Sequence, residues 1–77
     1  MSQRLPKVTA DEIIRVLEKA GFTLVRQSGS HKIYRSSAGK RATVPYHKGK
    51  ILHPKVLASI LKDANLSRED FQNLLEA

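Results

Sequence analysis

Phe22-Thr23-Leu24-Val25-Arg26-Gln27-Ser28-Gly29-Ser30-His31-Lys32-Ile33-Tyr34-Arg35 reads as strand, turn, strand. Over residues 22–27 the pattern has a period of two. Phe22 and Leu24 fall on one side and Thr23, Val25 and Gln27 on the other, as in a strand with one face suited to burial. Ser28-Gly29-Ser30 is turn chemistry, with glycine supplying a positive φ. Residues 31–35 carry Ile33 and Tyr34 and form a second strand. Ser36-Ser37-Ala38-Gly39 makes another turn, and Arg41-Ala42-Thr43-Val44 a third strand. Pro45, with no N–H for a ladder, ends that strand or leaves its pairing edge. Two short turns joining three strands predict an antiparallel meander.

Helices flank the meander. Thr9-Ala10-Asp11-Glu12 has the form of a capping box, in which the Thr9 hydroxyl accepts from the Glu12 N–H and the Glu12 carboxylate accepts from the Thr9 N–H. Val8 and Ile13 stand where a hydrophobic staple would place them. Ile13, Ile14, Val16, Leu17 and Ala20 then recur at helical spacing, and Gly21 supplies the left-handed cap. After the meander, residues 46–52 form a polar, basic loop. Pro54 fits the first position of a second helix, whose buried stripe is Val56, Leu57, Ile60, Leu61 and Ala64, with Asn65 as its cap. Ser67-Arg68-Glu69-Asp70 opens a last short helix with an acidic first turn, and Phe71, Leu74 and Leu75 face inward. The expected fold is α+β: a three-stranded antiparallel sheet with the helices on one face and the other face solvated.

At 77 residues the chain is expected to form one domain. It buries only about 60% of its unfolded surface, so its core must be economical. With 40% hydrophobic and 27% charged residues the composition is that of a folded domain. No cysteine is present, which removes disulfides and thiolate metal sites. No apolar run approaches the ~20 residues that span a bilayer. Residues 1–8 lack a signal peptide's apolar segment, so a cytoplasmic protein without membrane attachment is expected. Charge is unevenly spread. From residue 21 to residue 53 the charged residues are Arg26, Lys32, Arg35, Lys40, Arg41, Lys48 and Lys50, with no Asp or Glu, so this window carries the formal +7 of the whole chain. A polyanionic partner is the first to consider.

All three histidines, His31, His47 and His53, lie in that window. If the polyanion is RNA, cleavage can use the substrate's own 2′-hydroxyl as nucleophile. The protein then needs a group that moves protons and cations that stabilise charge on the phosphorane, but no metal, cofactor or serine nucleophile. Histidine, with an unperturbed pKa near 6.5, suits the first task. Lys32, Arg35, Lys48 and Lys50 suit the second, and Ser30 can hydrogen-bond phosphate or orient the histidine. The competing assignment for His31 is a structural or solvated strand residue. In a regular strand it shares a face with Ile33, and a bulge at Gly29-Ser30 would turn it outward. His47 and His53 are candidates for a second proton-transfer group, although His53 precedes Pro54 where a helix cap is wanted. A zinc site is not expected, because the histidine spacings match no common ligand pattern. Tyr34 and Tyr46 can stack on bases. The alternatives are cross-strand packing for Tyr34 and, preferred, a loop anchor against the core for Tyr46. A DNA-binding repressor is disfavoured, since neither long helix carries a face rich in base-reading side chains.

Gly29-Ser30-His31, with the strand before it and Ile33-Tyr34 after it, resembles the HicA (YcfA-like) toxin family. So do Thr43-Val44-Pro45-Tyr46-His47-Lys48-Gly49-Lys50, the following Leu52-His53-Pro54 with its leucine-rich helix, and Leu17-Glu18-Lys19-Ala20-Gly21-Phe22 before the first strand. The resemblance covers residues 9–75. Val56 and Asn65 depart from it, standing where Thr and Gly are common. It implies a double-stranded-RNA-binding-domain-like fold and an mRNA-cleaving endoribonuclease acting as the toxin of a type II toxin–antitoxin pair. The family's catalytic histidine falls on His31. The implied partner is a HicB-type antitoxin that covers the site, and the free toxin is expected to be a monomer. The rival from another class is a non-catalytic RNA-binding module using the same basic face.

Overall fold

The computed structural model describes residues 5–77. In chain order the elements are α1 (Ala10–Lys19), β1 (Phe22–Ser28), β2 (His31–Ser36), β3 (Arg41–Pro45), α2 (Pro54–Asp63) and α3 (Arg68–Glu76). Thr9 caps α1 through the reciprocal box: its N–H donates to Glu12 Oε1 at 2.9 Å and its Oγ1 accepts from the Glu12 N–H at 3.3 Å. Val8 and Ile13 are both buried beside it. α2 closes on Asn65, which takes φ 58. There the Leu66 N–H reaches the Leu61 carbonyl at 2.9 Å and the Asn65 N–H reaches Lys62 at 3.1 Å, the paired bonds of a Schellman motif. Ser67 and Asp70 box the start of α3.

β1, β2 and β3 form an antiparallel sheet in sequence order. The helices cover one face: α1 lies across β1 and β3, α2 packs on β3, and α3 packs on α1. Between the layers lie Ile13, Val16 and Leu17 of α1, Tyr34 of β2, Ala42 and Val44 of β3, Leu57 and Ile60 of α2, and Phe71 of α3, all buried. The segments preceding α1 and α2 are joined by a Thr9–Ile51 bridge, with the Leu52 N–H on the Val8 carbonyl at 2.8 Å. Among the described residues no helix is long and apolar enough to cross a membrane.

One departure from simple alternation lies in β1. Leu24 stands opposite Tyr34 and Arg26 opposite Ile33, so Val25 is an extra residue without a partner. This bulge reverses parity halfway along the strand. Gln27, expected on the outer side, pairs with Lys32 on the side the helices cover, while Arg26 turns to the open face with Ile33. Leu24 stays on the helix side but lies at the sheet edge, 48% exposed.

Candidate functional site

The connection from β1 to β2 is a two-residue loop, Gly29-Ser30, closed by the Ser28–His31 pair. Gly29 has φ 59 and Ser30 is not in the positive region, the pattern of a type II′ hairpin, which needs glycine at its first position. His31 therefore begins β2, between Ser28 on one side and Pro45 on the other. Parity puts it on the same face as Ile33 and Arg35. That face is the open one: Lys32, Tyr34 and Ser36 take the side toward the helices, and His31 is exposed. No bulge at Gly29-Ser30 is needed to turn it out. Among the described residues its ring has no hydrogen-bond partner, so both nitrogens are open to a substrate.

The fold brings other groups to this end of the sheet. The Tyr46 N–H donates to the Ser30 carbonyl at 2.6 Å, tying the hairpin turn to the loop that follows β3. Lys32 places its ammonium 4.0 Å from the centre of the Tyr46 ring, a cation–π contact worth about 0.5–1 kcal/mol at an exposed site. The nearby Asp11 carboxylate, together with partial burial, raises the Tyr46 phenol above 10.0. Tyr46 is thus a loop anchor. Asp11 was not foreseen as part of this region, because the basic window contains no acid along the chain. Its place follows from topology: α1 joins β1 through Ala20 and Gly21 alone, so α1 runs back along the sheet and its first turn returns to the His31 end.

Lys48 and Lys50 flank Gly49 in a turn closed by the Lys50 N–H on the His47 carbonyl at 3.1 Å, with Gly49 at φ 78. Both lysines are exposed, as are Ser30 and His47. His53 caps α2: its Nδ1 accepts from the Lys55 N–H at 3.0 Å, so that nitrogen is engaged in holding the helix start. Among the described residues no three of His, Asp and Glu converge as a metal-ligand group.

Two expected contacts are placed apart from this end. Tyr34 is 3% exposed, packed opposite Leu24 and Ala42, and its phenol is raised first by burial and then by Glu18 and Asp11. The expectation that it stacks on bases is corrected: its position in β2 faces the helices, and cross-strand packing takes the ring. Arg35 is exposed on the open face, four residues beyond His31 and so about 13 Å away along the strand. It has company that sequence reasoning missed. Arg41 stands directly opposite it on β3, and Arg26 on β1 faces the same way. With Val25, Ile33 and Gly39 these arginines line a shallow depression of about 250 Å³. Alternation in β3 was enough to find Arg41; Arg26 reaches this face only because of the bulge.

No curated protein matches the chain. A family model described as the HicA toxin of bacterial toxin–antitoxin systems matches residues 10–66, from the first turn of α1 through the sheet to Leu66 beyond α2. The match takes in the hairpin that carries His31, the loop with Lys48 and Lys50, and most of the core, and on it this chain belongs to the HicA toxin family.

Proposed function

We propose that the protein is an mRNA-cleaving endoribonuclease, acting in the cytoplasm as the toxin of its pair, with His31 as the proton-transfer group. The observation that carries this reading is an exposed, unpartnered imidazole on the open face of the sheet, at the end where the loop bearing the exposed Lys48 and Lys50 leaves β3 and is tied to the Ser30 carbonyl. As base, neutral His31 takes the proton of a substrate 2′-hydroxyl while the O2′–P bond forms and the P–O5′ bond breaks. The leaving O5′ is protonated by water. The products are a 2′,3′-cyclic phosphate and a 5′-hydroxyl. As acid, protonated His31 instead gives its proton to O5′, while water takes the proton of the attacking 2′-hydroxyl. Neither role needs a cofactor. The lysines and the Ser30 hydroxyl offset charge gathering on the phosphorane. General acid–base catalysis of this kind contributes on the order of 10²–10⁴-fold.

Family membership implies a cognate antitoxin and an RNA substrate. We assign the antitoxin to the HicB type, seated over the His31 end. The rival reading, a non-catalytic RNA-binding module, draws on one observation: no described residue orients the His31 ring, whereas catalytic bases are commonly held by a third group. Expression in cells separates the two. The wild type should arrest growth, His31→Ala of matched solubility and folding should not, and co-expression of the protein encoded by the neighbouring reading frame should relieve the arrest. Equal arrest by both forms would remove His31 from the mechanism.

A further inference from the structure

We infer that the depression formed by Arg26, Arg35 and Arg41 on the open face is a second phosphate-binding site, holding the backbone of the substrate RNA at a distance from the cut. The inference rests on the reading of the protein as RNA-directed, but not on the identity of the catalytic group.

Register is the first observation. Arg35 and Arg41 are directly opposed across β2 and β3, and Arg26 sits beside Ile33, the next open-face position of β2. Like charges directly opposite in a sheet destabilise it. Among the described residues none of the three guanidinium groups has a carboxylate partner, and residues 1–4 contain no Asp or Glu. The fold therefore concentrates positive charge on one small surface and leaves it for an external anion. Arginine's planar fork suits the two oxygens of a phosphodiester and stacks on bases as well. Val25 and Ile33 add an apolar floor.

The second observation is direction. His31, Ile33 and Arg35 follow one another on the open face of the same strand, with about 13 Å between the first and the last. A stacked strand carries one phosphate per ~3.4 Å of axis, so a strand lying along β2 with its scissile phosphate at His31 reaches Arg35 on the order of four nucleotides away. A protein segment adding to the sheet at β1 fits less well, because the Val25 bulge interrupts that edge.

The test is binding of a fluorescein-labelled, fully 2′-O-methylated RNA of about twelve nucleotides, followed by anisotropy across a range of salt. This probe cannot be cleaved through a 2′-hydroxyl. Arg35→Gln/Arg41→Gln should bind at least ~10-fold more weakly and lower the log–log salt slope by about 1.4, at ~0.7 per phosphate contact on a single strand. Arg26→Gln alone should lower it by about 0.7. The like-charged control Arg15→Gln/Lys62→Gln, exposed on α1 and α2, should change affinity by less than ~3-fold, and a three-nucleotide probe should show no dependence on the arginines. Equal losses in the double variant and the control would overturn the inference. So would a double variant that keeps RNA affinity but loses the antitoxin, which would give the face to a protein partner. If His31→Ala cleaves RNA like the wild type while the arginine variants lose binding, the catalytic assignment falls and the second site stands.

Discussion

Deleting one residue from the middle of a strand usually destroys the fold, and here it should not, provided the residue is Val25. Without it, Leu24 still meets Tyr34, Arg26 still meets Ile33, and Ser28 still meets His31, so every existing pair survives. Val25 is 55% exposed, and a fully buried valine is worth about 1.5–3 kcal/mol. The burial lost is therefore about 1 kcal/mol. Against this, one fewer ordered residue returns about 1–2 kcal/mol of backbone entropy. The net change should fall within about 1 kcal/mol of zero. Deleting Ile33 is the contrast. With His31 held opposite Ser28 by the turn, Tyr34 moves to the open face and Arg35 to the core. Loss of the buried ring alone costs about 3–5 kcal/mol, out of roughly 4–12 kcal/mol for a chain of this size. Urea unfolding followed by circular dichroism reads both. At an m-value of about 1 kcal/mol per M, the midpoint should move by less than ~1 M for the Val25 deletion, and the cooperative transition should be lost or nearly lost for the Ile33 deletion. Equal damage from the two deletions would refute the register, and with it the account of why His31 faces outward.

Two further outcomes follow from the packing. Phe71 is fully buried in α3, beyond the residues matched by the family model, and Phe71→Ala should cost about 3–5 kcal/mol in urea unfolding; a cost below about 1 kcal/mol would show that α3 is not part of the core. Tyr34 and Tyr46 both have phenols raised above 10.0, the first mainly by burial and the second mainly by Asp11. The folded chain thus keeps protons that the unfolded chain releases. The stabilisation is fully present below pH ~10 and is lost as pH rises through the folded-state values. Phenolate absorbance should appear at higher pH in the native protein than in urea, and Asp11→Asn should lower the Tyr46 component more than the Tyr34 component, for which Asp11 is a lesser cause; coincident native and unfolded curves would contradict both assignments.

How much of this was legible depended on the range of the interaction. The Thr9–Glu12 box, the start of the last helix at Ser67, the left-handed Asn65 and the glycine turns were readable because each is decided within four residues. The meander followed from two short turns, and His53 as a cap followed from Pro54. The bulge at Val25 was not readable. The same residues alternate acceptably without it, and the ladder with β2 decides which of them is left unpaired. That single displaced residue reassigns Arg26 and Gln27 between faces. Tyr34 carried two compatible readings until the covered face of the sheet was known. The contact of Asp11 with Tyr46 joins residues far apart in the chain, and counting charges along the sequence is blind to it.

Purified protein incubated with a labelled RNA of defined sequence, beside the same RNA with a 2′-O-methyl group at the cut, tests the central proposal most directly. The wild type should cleave the unmodified strand to a 2′,3′-cyclic phosphate end in the presence of a metal chelator. His31→Ala, with an unchanged unfolding midpoint, should be slower by on the order of 10²–10⁴-fold, and the modified strand should remain intact. Cleavage of the modified strand, or undiminished cleavage by His31→Ala, would contradict the assignment of the 2′-hydroxyl and His31 to the reaction.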